Sequence, residues 1–257
     1  MSHILGLTMQ KGGVGKTTST LNIASNLVRK GYKVLVVDLD PQANATQGLG
    51  IDLDENEPEY SVYEVLLNPE KGVSFATIAT DAGIDLVPST LNLAGAESEL
   101  SGTVGREILL SEALNEVRDR YDYILIDSPP NLGLFTLNAM AAATSLLVPV
   151  QAHVYAYKAL PKLEKTIGLV RKLNPTLAIG GIFVTQSDSR TNLSATIAHR
   201  LRDEYKDLVF ETVIPLNVKL AESPAAGQPV ALYDPTGAGA KAYKKLTDEI
   251  EARYGKK

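Results

Sequence analysis

The stretch that decides the fold reads ILGLTMQKGGVGKTT and occupies residues 4–18. Its first part, Ile4–Met9, is a short apolar run that predicts a buried β-strand. The glycine-rich part predicts a loop, and the segment Thr17–Arg29 that follows has the apolar periodicity of an α-helix. A strand, a glycine-rich turn and a helix in this order form the context that a phosphate-binding loop requires.

The glycine-rich loop is predicted to bind phosphate through its main chain. Its residues are Lys11, Gly12, Gly13, Val14, Gly15, Lys16, Thr17 and Thr18. Glycines allow backbone N–H groups to approach a phosphate closely, and the positive end of the helix dipole adds to the attraction. Lys16 is placed to reach the β- and γ-phosphates of a nucleotide, and the Thr17 hydroxyl is placed to hold Mg²⁺.

The loop departs from the usual G-x-x-x-x-G-K-T pattern at two positions. Gln10 stands where the first glycine falls, and Lys11 adds a second lysine. Because Lys11 precedes the turn, it is badly placed to share the role of Lys16. We therefore expect its side chain either to face solvent or to meet an anion outside its own loop.

Two further predicted strands lead into acidic residues. The run Val34–Asp38 is followed closely by Asp40, and the run Tyr123–Asp127 ends on its aspartate. Parallel strands direct their carboxyl ends toward a bound ligand. We assign Asp127 to Mg²⁺ binding through the water shell of the ion, and Asp40 to the positioning of an attacking water. Asp38 is assigned a structural role as an acceptor of loop amides, with a direct role beside Asp40 as the alternative.

Short apolar runs and amphipathic stretches alternate along most of the chain. The remaining strand candidates are Ile84–Val87, Leu146–Val150, Ile179–Thr185 and Leu208–Ile214. The remaining helix candidates are Ile108–Arg118, Lys158–Lys172, Leu193–Tyr205 and Ala238–Tyr254. This alternation predicts an α/β fold, a doubly wound and mostly parallel sheet with helices on both faces. No linker or repeat interrupts it, so a single P-loop domain is expected over residues 1–257.

Composition narrows the functional classes. The chain has 257 residues, no cysteine and a formal net charge of −5. The lack of cysteine excludes cysteine-ligated zinc, iron–sulfur clusters and thiol catalysis. An acidic chain is not expected to coat nucleic acid over its whole surface, so any DNA contact requires a local basic patch. No apolar run approaches the length of about 18 residues that a membrane span needs.

Motifs spread along nearly the whole chain resemble those of the ParA/MinD family of deviant Walker-box ATPases, and of its ParA branch in particular. They are Gln10–Thr18, Asp38–Gln42, Leu91–Glu97, Asp127–Pro130, Arg190–Leu193, Ala221–Pro224 and Tyr233–Pro235. The resemblance implies an ATPase that binds ATP and Mg²⁺ and closes into a face-to-face homodimer. It implies that Lys11 crosses to the partner's nucleotide and that Asp40 activates water. It also implies that Pro215 and Asn217 lie beside the adenine.

The same resemblance implies non-specific DNA binding by the ATP-bound dimer. Arg190 and Lys219 fall where the family places basic residues that contact DNA. The loop Thr236–Ala240, where relatives often carry further arginines, is neutral here, which lowers the DNA affinity that we expect. The implied partner is a cargo-bound adaptor or centromere-binding protein that stimulates slow hydrolysis. The implied cargo is a plasmid, a chromosome or a protein organelle such as a carboxysome, and the implied location is cytoplasmic and nucleoid-associated.

Two alternatives stay open at this point. One is a MinD-like ATPase that binds a membrane through its C-terminal helix, and the other is a metabolic synthetase of the same superfamily. The predicted C-terminal helix has one narrow apolar stripe, formed by Tyr243, Leu246, Ile250 and Tyr254. Because packing on the domain uses this stripe, no apolar face is left for lipid. A synthetase, in turn, does not explain Lys11 together with Arg190 and the segment 215–224.

Overall fold

The computed structural model describes residues 2–153, 157, 159–188 and 190–255, and these contain one central β-sheet. Its strands are β1 (His3–Leu7), β2 (Val34–Asp38), β3 (Ile78–Ala79), β4 (Asp85–Val87), β5 (Tyr123–Asp127), β6 (Ser145–Gln151), β7 (Ile179–Ser187) and β8 (Val209–Pro215). Their order across the sheet is β3-β4-β2-β5-β1-β6-β7-β8. All neighbours are parallel except β3 and β4, which are antiparallel. The predicted α/β fold with a mostly parallel sheet is confirmed.

The described α-helices lie between these strands and after β8. They are α1 (Lys16–Arg29), α2 (Asn44–Gln47), α3 (Val62–Leu67), α4 (Leu93–Glu99), α5 (Leu109–Ala113), α6 (Leu134–Ala142), α7 (Leu160–Val170), α8 (Asn192–Tyr205), α9 (Val218–Ala225), α10 (Val230–Tyr233) and α11 (Ala238–Tyr254). Within the described part of the chain, no helix combines the length and apolarity that a bilayer crossing demands.

Alternate residues of β2 point to opposite faces of the sheet, as the pleat of a strand requires. Leu35 and Val37 join a core cluster with α3, α4, α5 and α6, whereas Val34 and Val36 join a second cluster with α1 and α11. A third cluster packs α7 and α8 against β6 and β7. Both faces of the sheet are therefore covered, which is typical of buried parallel strands.

The strand register brings the acidic residues of two strands together. Asp38 on β2 pairs with Asp127 on β5, and Asp127 also pairs with Leu7 at the end of β1. The three strands end at the same level of the sheet, so the segments that leave them begin side by side. One of these segments, the chain after β1, is the glycine-rich loop.

The observed elements differ from the predicted ones mainly at their ends. Strand β1 ends at Leu7, earlier than predicted, because the chain leaves the sheet there to enter the glycine-rich loop. The predicted helix Ile108–Arg118 is only the short helix α5 followed by a 3₁₀ turn at Leu114–Val117, in which the hydrogen bonds tighten. The predicted helix Lys158–Lys172 appears as α7, and Lys158 itself lies outside the described residues.

Two unpredicted helices illustrate what periodicity misses. Helix α3 carries a capping box, because the hydroxyl of Ser61 accepts a hydrogen bond from the N–H of Tyr63 and the carboxylate of Glu64 accepts one from the N–H of Ser61. That Ser-x-x-Glu spacing is visible in the sequence. Helix α6 is buried on nearly all sides, so it has no polar face for periodicity to reveal.

The C-terminal helix α11 has the predicted bounds, and its apolar stripe packs as predicted. Tyr243, Leu246 and Ile250 are buried in the cluster that α11 shares with α1. The hydroxyl of Tyr243 also lies 3.0 Å from the hydroxyl of Ser19 on α1. The stripe is thus occupied by contacts within the chain.

Candidate nucleotide-binding site

The glycine-rich loop between β1 and α1 is shaped by its backbone conformation. Gly13 and Gly15 have φ angles of +71° and +85°, a region that residues with a side chain rarely adopt. A Cβ atom on Gly13 would meet nothing within 4 Å, so this part of the loop borders open space. Helix α1 begins at Lys16 with no side-chain cap, which leaves its first N–H groups for a ligand.

Two side chains at the end of β7 form hydrogen bonds to the main chain of the loop. The hydroxyl of Thr185 donates to the carbonyl oxygen of Val14 at 2.8 Å, and Nε2 of Gln186 donates to the carbonyl oxygen of Gly13 at 2.5 Å. These bonds give two carbonyl oxygens of the loop a hydrogen-bond donor outside the loop. The loop therefore depends on a strand that lies far from it in the sequence.

A cavity of about 610 Å³ lies over the loop. The loop contributes Gly12, Gly13, Gly15, Lys16, Thr17 and Thr18 to its wall. The segment after β2 and helix α2 contribute Asp40, Gln42, Asn44, Gln47 and Gly48, and helix α9 contributes Leu220, Ala221, Pro224 and Ala225. Small-molecule sites have volumes of about 300–1,000 Å³, so the cavity is large enough for a nucleotide.

Lys16 is the buried cation of the cavity, with 7% of its surface exposed. Burial lowers the pKa of Lys16, and the negative charges of Asp127 and Asp40 oppose this lowering. Lys16 makes no ion pair with any residue that the structure describes. A buried ammonium group without a paired carboxylate is suited to bind an anion that enters the cavity.

The two predicted Mg²⁺ ligands, Thr17 and Asp127, lie side by side. Oγ1 of Thr17 donates to Oδ2 of Asp127 at 2.6 Å. Burial raises the pKa of the Asp127 carboxyl, and the charge of Asp38 raises it further. The described residues contain no group of three or more acidic, histidine or cysteine side chains that could hold a metal. Mg²⁺ at nucleotide sites typically uses one or two protein oxygens with phosphates and water, so this pair fits Mg²⁺ that arrives with a nucleotide.

Asp38 and Asp40 have different surroundings although they are close in sequence. The buried carboxylate of Asp38 accepts hydrogen bonds from the N–H of Asp40 at 3.1 Å and from the N–H and hydroxyl of Thr46 at 2.8 Å each. This matches the predicted structural role of Asp38. Asp40 lines the cavity, and one of its oxygens accepts the N–H of Gln42 at 3.0 Å. Its other oxygen has no hydrogen bond within the described chain and is available to a water or ligand.

The side chain of Lys11 is half-buried and makes a hydrogen bond within the chain. Its Nζ donates to Oε1 of Gln151, the last residue of β6, at 2.7 Å. The ammonium group therefore meets a neutral amide in the single chain, and contact of Lys11 with an anion outside its own loop stays a prediction. Lys11 is also absent from the wall of the cavity over its own loop.

The two residues predicted beside the adenine lie outside the lining of the loop cavity. Pro215 ends β8 and lines a different cavity, together with Val213 and Ala238. Asn217 caps helix α9, since its Oδ1 accepts the N–H of Lys219 at 2.8 Å. The helix that Asn217 caps supplies part of the cavity wall, but contact of Pro215 or Asn217 with a base stays a prediction.

The cavity wall includes residues to which the sequence analysis gave no role. Gln42 belongs to the motif Asp38–Gln42, and Pro224 belongs to the motif Ala221–Pro224, so both lay within stretches that carried the family resemblance. Gln186 belongs to no such motif. No local sequence pattern points to Gln186, because its contact with the loop depends on the pairing of strands that are distant in the sequence.

The predicted DNA-binding residues are exposed and already paired with neighbouring carboxylates. Arg190 donates from Nε and Nη2 to the two carboxylate oxygens of Asp188 at 2.9 Å and 2.7 Å, and this contact lowers the pKa of Asp188 to about 2. Lys219 donates to Glu222 at 2.8 Å and lies over the ring of Tyr233. Within one chain, neither residue is an unpaired positive charge.

Comparisons with known proteins agree along nearly the whole chain. A family described as AAA domain matches residues 2–179. The sporulation initiation inhibitor protein Soj of Bacillus subtilis is 44% identical over 253 residues, covering 98% of this chain and 99% of Soj. The chromosome-partitioning ATPase Soj of Treponema pallidum is 41% identical over 258 residues and covers 100% of both chains. A crystal structure of cobyrinic acid a,c-diamide synthase from Mycobacterium smegmatis with bound ADP and magnesium has 35% identity and a TM-score of 0.85, covering 100% of this chain and 98% of that one.

Proposed function

Because this chain belongs to the ParA/MinD family of partition ATPases, we propose that it works as an ATP-controlled dimerisation switch on DNA. The chain is a ParA-type ATPase, which converts ATP and water to ADP and phosphate and uses Mg²⁺. The proposal adds a cycle to this activity, in which ATP closes a homodimer, the dimer binds DNA, and hydrolysis releases it. It treats residues 1–257 as a single P-loop ATPase domain.

In the proposed cycle, ATP binds at the loop 11–18. Lys16 neutralises charge on the β- and γ-phosphates, and the open space beside Gly13 admits the phosphates to the loop. Thr17 and Asp127 hold Mg²⁺, which supplies further neutralisation of phosphate charge when it is bound. The buried position of Lys16 supports this assignment, because low solvent exposure strengthens its attraction to an anion.

Hydrolysis in the proposed cycle depends on Asp40. Asp40 lines the cavity, and one of its carboxylate oxygens makes no hydrogen bond in the described chain, so it is free to orient an attacking water. We expect slow turnover by the chain alone, because a switch that holds DNA needs a long-lived bound state. A cargo-bound adaptor or centromere-binding protein would accelerate the step.

The observation that carries the dimer proposal is the contrast between the two lysines of the loop. Lys16 lines the cavity, whereas Lys11 lies outside its lining and has no carboxylate partner in the described chain. Two triphosphates that face each other across an interface repel strongly unless a cation lies between them. Lys11 is the loop cation that remains available for the nucleotide of a second chain.

The proposed dimer would also assemble the DNA-binding surface. Each chain contributes one Arg190 and one Lys219, and both are exposed. Contacts to phosphate are independent of base sequence and sensitive to salt, which suits a protein that moves over bulk DNA. We therefore propose a nucleoid-associated protein whose cargo is a plasmid, a chromosome or a protein organelle such as a carboxysome.

The likeness to a diamide synthase favours one second candidate, a metabolic synthetase of the same superfamily. The partition proteins are closer in sequence, at 41% and 44% identity against 35% for the synthase. A synthetase has no need of DNA, so nucleotide-dependent DNA binding separates the two candidates.

The direct test of the proposed function is the DNA affinity of the chain in its different nucleotide states. Anisotropy of a labelled duplex of arbitrary sequence is measured with Mg²⁺ and ATP, with Mg²⁺ and ADP, and without nucleotide, over a series of salt concentrations. We expect binding at least about tenfold tighter with ATP and a steeper dependence on salt, because a dimer contacts more phosphates than a monomer does. Equal affinity in the ATP and ADP states would contradict the proposal and favour the synthetase.

A further inference from the structure

A row of hydrogen bonds links Lys11 back to the phosphate loop through two glutamine side chains. Nζ of Lys11 donates to Oε1 of Gln151 at 2.7 Å, and Nε2 of Gln151 donates to Oε1 of Gln186 at 2.8 Å. Nε2 of Gln186 then donates to the carbonyl oxygen of Gly13 at 2.5 Å. The row begins at a group that only donates and ends at one that only accepts, so the orientation of both amides is fixed.

The two glutamines lie at the carboxyl ends of adjacent strands. Gln151 ends β6 and pairs in register with Thr185, the residue before Gln186 on β7. Both glutamine side chains are half-buried. Gln186 has a φ angle of +51°, which is uncommon for a residue with a side chain and is found where surrounding contacts hold it. The bonds to Gln151 and Gly13 are contacts of this kind.

The chemistry of the acceptor determines how firmly Lys11 is held. The amide oxygen of Gln151 accepts a hydrogen bond but carries no charge, so it holds the ammonium group without neutralising it. The ammonium–amide bond has one ionised partner, whereas a carboxylate or phosphate oxygen adds the attraction between two opposite charges. A triphosphate therefore competes well with one amide oxygen, whereas a carboxylate at position 151 would compete with the triphosphate.

We propose that Gln151 is a positioning residue that holds Lys11 at rest in the single chain and releases it when the dimer closes. Gln186 orients the Gln151 amide so that its oxygen faces Lys11. The inference rests on the proposed function, because it requires Lys11 to act on the partner's nucleotide. It follows that the strength of the Lys11–Gln151 bond controls how readily the dimer forms.

The test uses two substitutions that change this bond in opposite directions. Gln151→Glu supplies a charged acceptor, so we expect the dimer to form about five- to tenfold more weakly. Gln151→Met has a similar shape but no acceptor, so we expect the dimer to form about two- to fourfold more readily. Sedimentation velocity with Mg²⁺ and a non-hydrolysable ATP analogue gives the dimer dissociation constants. Calorimetry with ADP should give unchanged affinities for both variants, which also shows that they are folded.

The matched controls repeat both substitutions in a Lys11→Ala background. With no ammonium group to hold, Gln151→Glu and Gln151→Met should each leave the dimer constant of the Lys11→Ala protein unchanged. A purely structural role for Gln151 predicts a different pattern, since both substitutions would then weaken the dimer whether or not Lys11 is present.

The possible outcomes separate the inference from the proposed function. Shifts in opposite directions that vanish without Lys11 would support the inference. Shifts in the same direction, or shifts that persist without Lys11, would overturn it and leave the proposed function standing. A Lys11→Ala protein that dimerises as readily as the unmodified chain would overturn the proposed function and the inference together.

Discussion

Lys16 and Arg190 are both assigned to bind phosphate, one in a nucleotide and one in DNA, yet their surroundings are opposite. Lys16 is 7% exposed, and its neighbours Asp127 and Asp40 come from two other segments of the sheet edge. The side chain of Arg190 is 83% exposed, and its partner Asp188 lies two positions earlier in the sequence. The nucleotide site is therefore assembled by the fold, whereas the charges of the proposed DNA-binding residues are balanced by carboxylates of their own local segments.

This contrast indicates that one chain alone is prepared to bind a nucleotide but not to bind DNA. A buried cation in a preformed cavity is ready for its ligand, because the cost of its burial has already been met by folding. An exposed ion pair has only a small influence on stability and exchanges its partner easily. We therefore expect substitutions at the nucleotide site to have large effects and substitutions at the proposed DNA-binding residues to have small ones.

The largest expected effect is that of Lys16→Ala. Removal of the ammonium group takes away the main cation of the cavity, so ATP affinity should fall by at least about 100-fold in calorimetry. Lys30→Ala is the matched control, since Lys30 pairs with Asp248 and Glu251 away from the cavity wall. Unchanged ATP affinity in the Lys16→Ala protein would show that the buried lysine is not needed for nucleotide binding. The expected difference between the nucleotide site and the proposed DNA-binding residues would then be wrong.

Asp40→Ala should affect hydrolysis but spare binding. Loss of a group that positions water typically lowers the rate by about 100-fold or more, while contacts in the ground state remain. Phosphate release measures the first effect, and calorimetry with ADP measures the second. Normal hydrolysis by this variant would move the role to another residue, and Asp38 would be the first to examine.

Asp127→Asn should bind Mg²⁺ and nucleotide less well but fold more stably. Burial raises the pKa of Asp127 in the folded chain, so the folded state binds this proton more tightly than the unfolded state does. The contribution of Asp127 to stability is therefore greatest below the ordinary carboxyl pKa of about 4 and is lost as pH rises through the raised value. Asparagine stays neutral and avoids this loss.

Thermal unfolding of the nucleotide-free protein at pH 5 and pH 8 measures the effect of Asp127→Asn. We expect the variant to be more stable than the unmodified chain by on the order of 1–2 kcal/mol at pH 8, with a smaller difference at pH 5. A variant that is less stable at pH 8 would show that the carboxylate is stabilised by its neighbours more than burial destabilises it.

The smallest expected effect is that of Asp188→Asn beside Arg190, in the proposed DNA-binding region. Removing the carboxylate frees the charge of Arg190, and exposed pairs are worth little, so DNA affinity should rise only about two- to threefold. Asp203→Asn on the exposed surface of α8 is the control, because it changes the net charge equally without touching Arg190. Equal gains in both variants would mean that net charge, and not release of Arg190, determines the affinity.

The buried half of the site was predictable because its signals are local. The loop 11–18 is recognised from its glycines, which lie between an apolar strand and a helix. Asp127 is recognised from its position at the end of an apolar run. The topology of a parallel sheet then brings such ends together, as the pairing of Asp38 with Asp127 shows. The fold class was predictable for the same reason, since alternation of strands and helices is a pattern along the chain.

Other parts of the site depend on contacts that no local pattern contains. Lys11 and Gln151 are 140 positions apart, and they meet because β6 runs beside β1. The pairing of Arg190 with Asp188 is a choice of rotamer that the sequence does not specify. Helix α9 forms part of the cavity wall. The only sequence signal for its residues was the family resemblance of the motif Ala221–Pro224, which does not place them at the nucleotide site.

Whether Lys11 acts on the nucleotide of a second chain is tested most directly with the Lys11→Ala protein. Light scattering with Mg²⁺ and ATP measures the mass of the particle, and calorimetry with ADP measures binding to the single chain. We expect the unmodified chain to double its mass, whereas Lys11→Ala should dimerise at least about tenfold more weakly and bind ADP within about twofold of normal, since its side chain lies outside the cavity lining. A Lys11→Ala protein that dimerises as readily as the unmodified chain would contradict this role of Lys11.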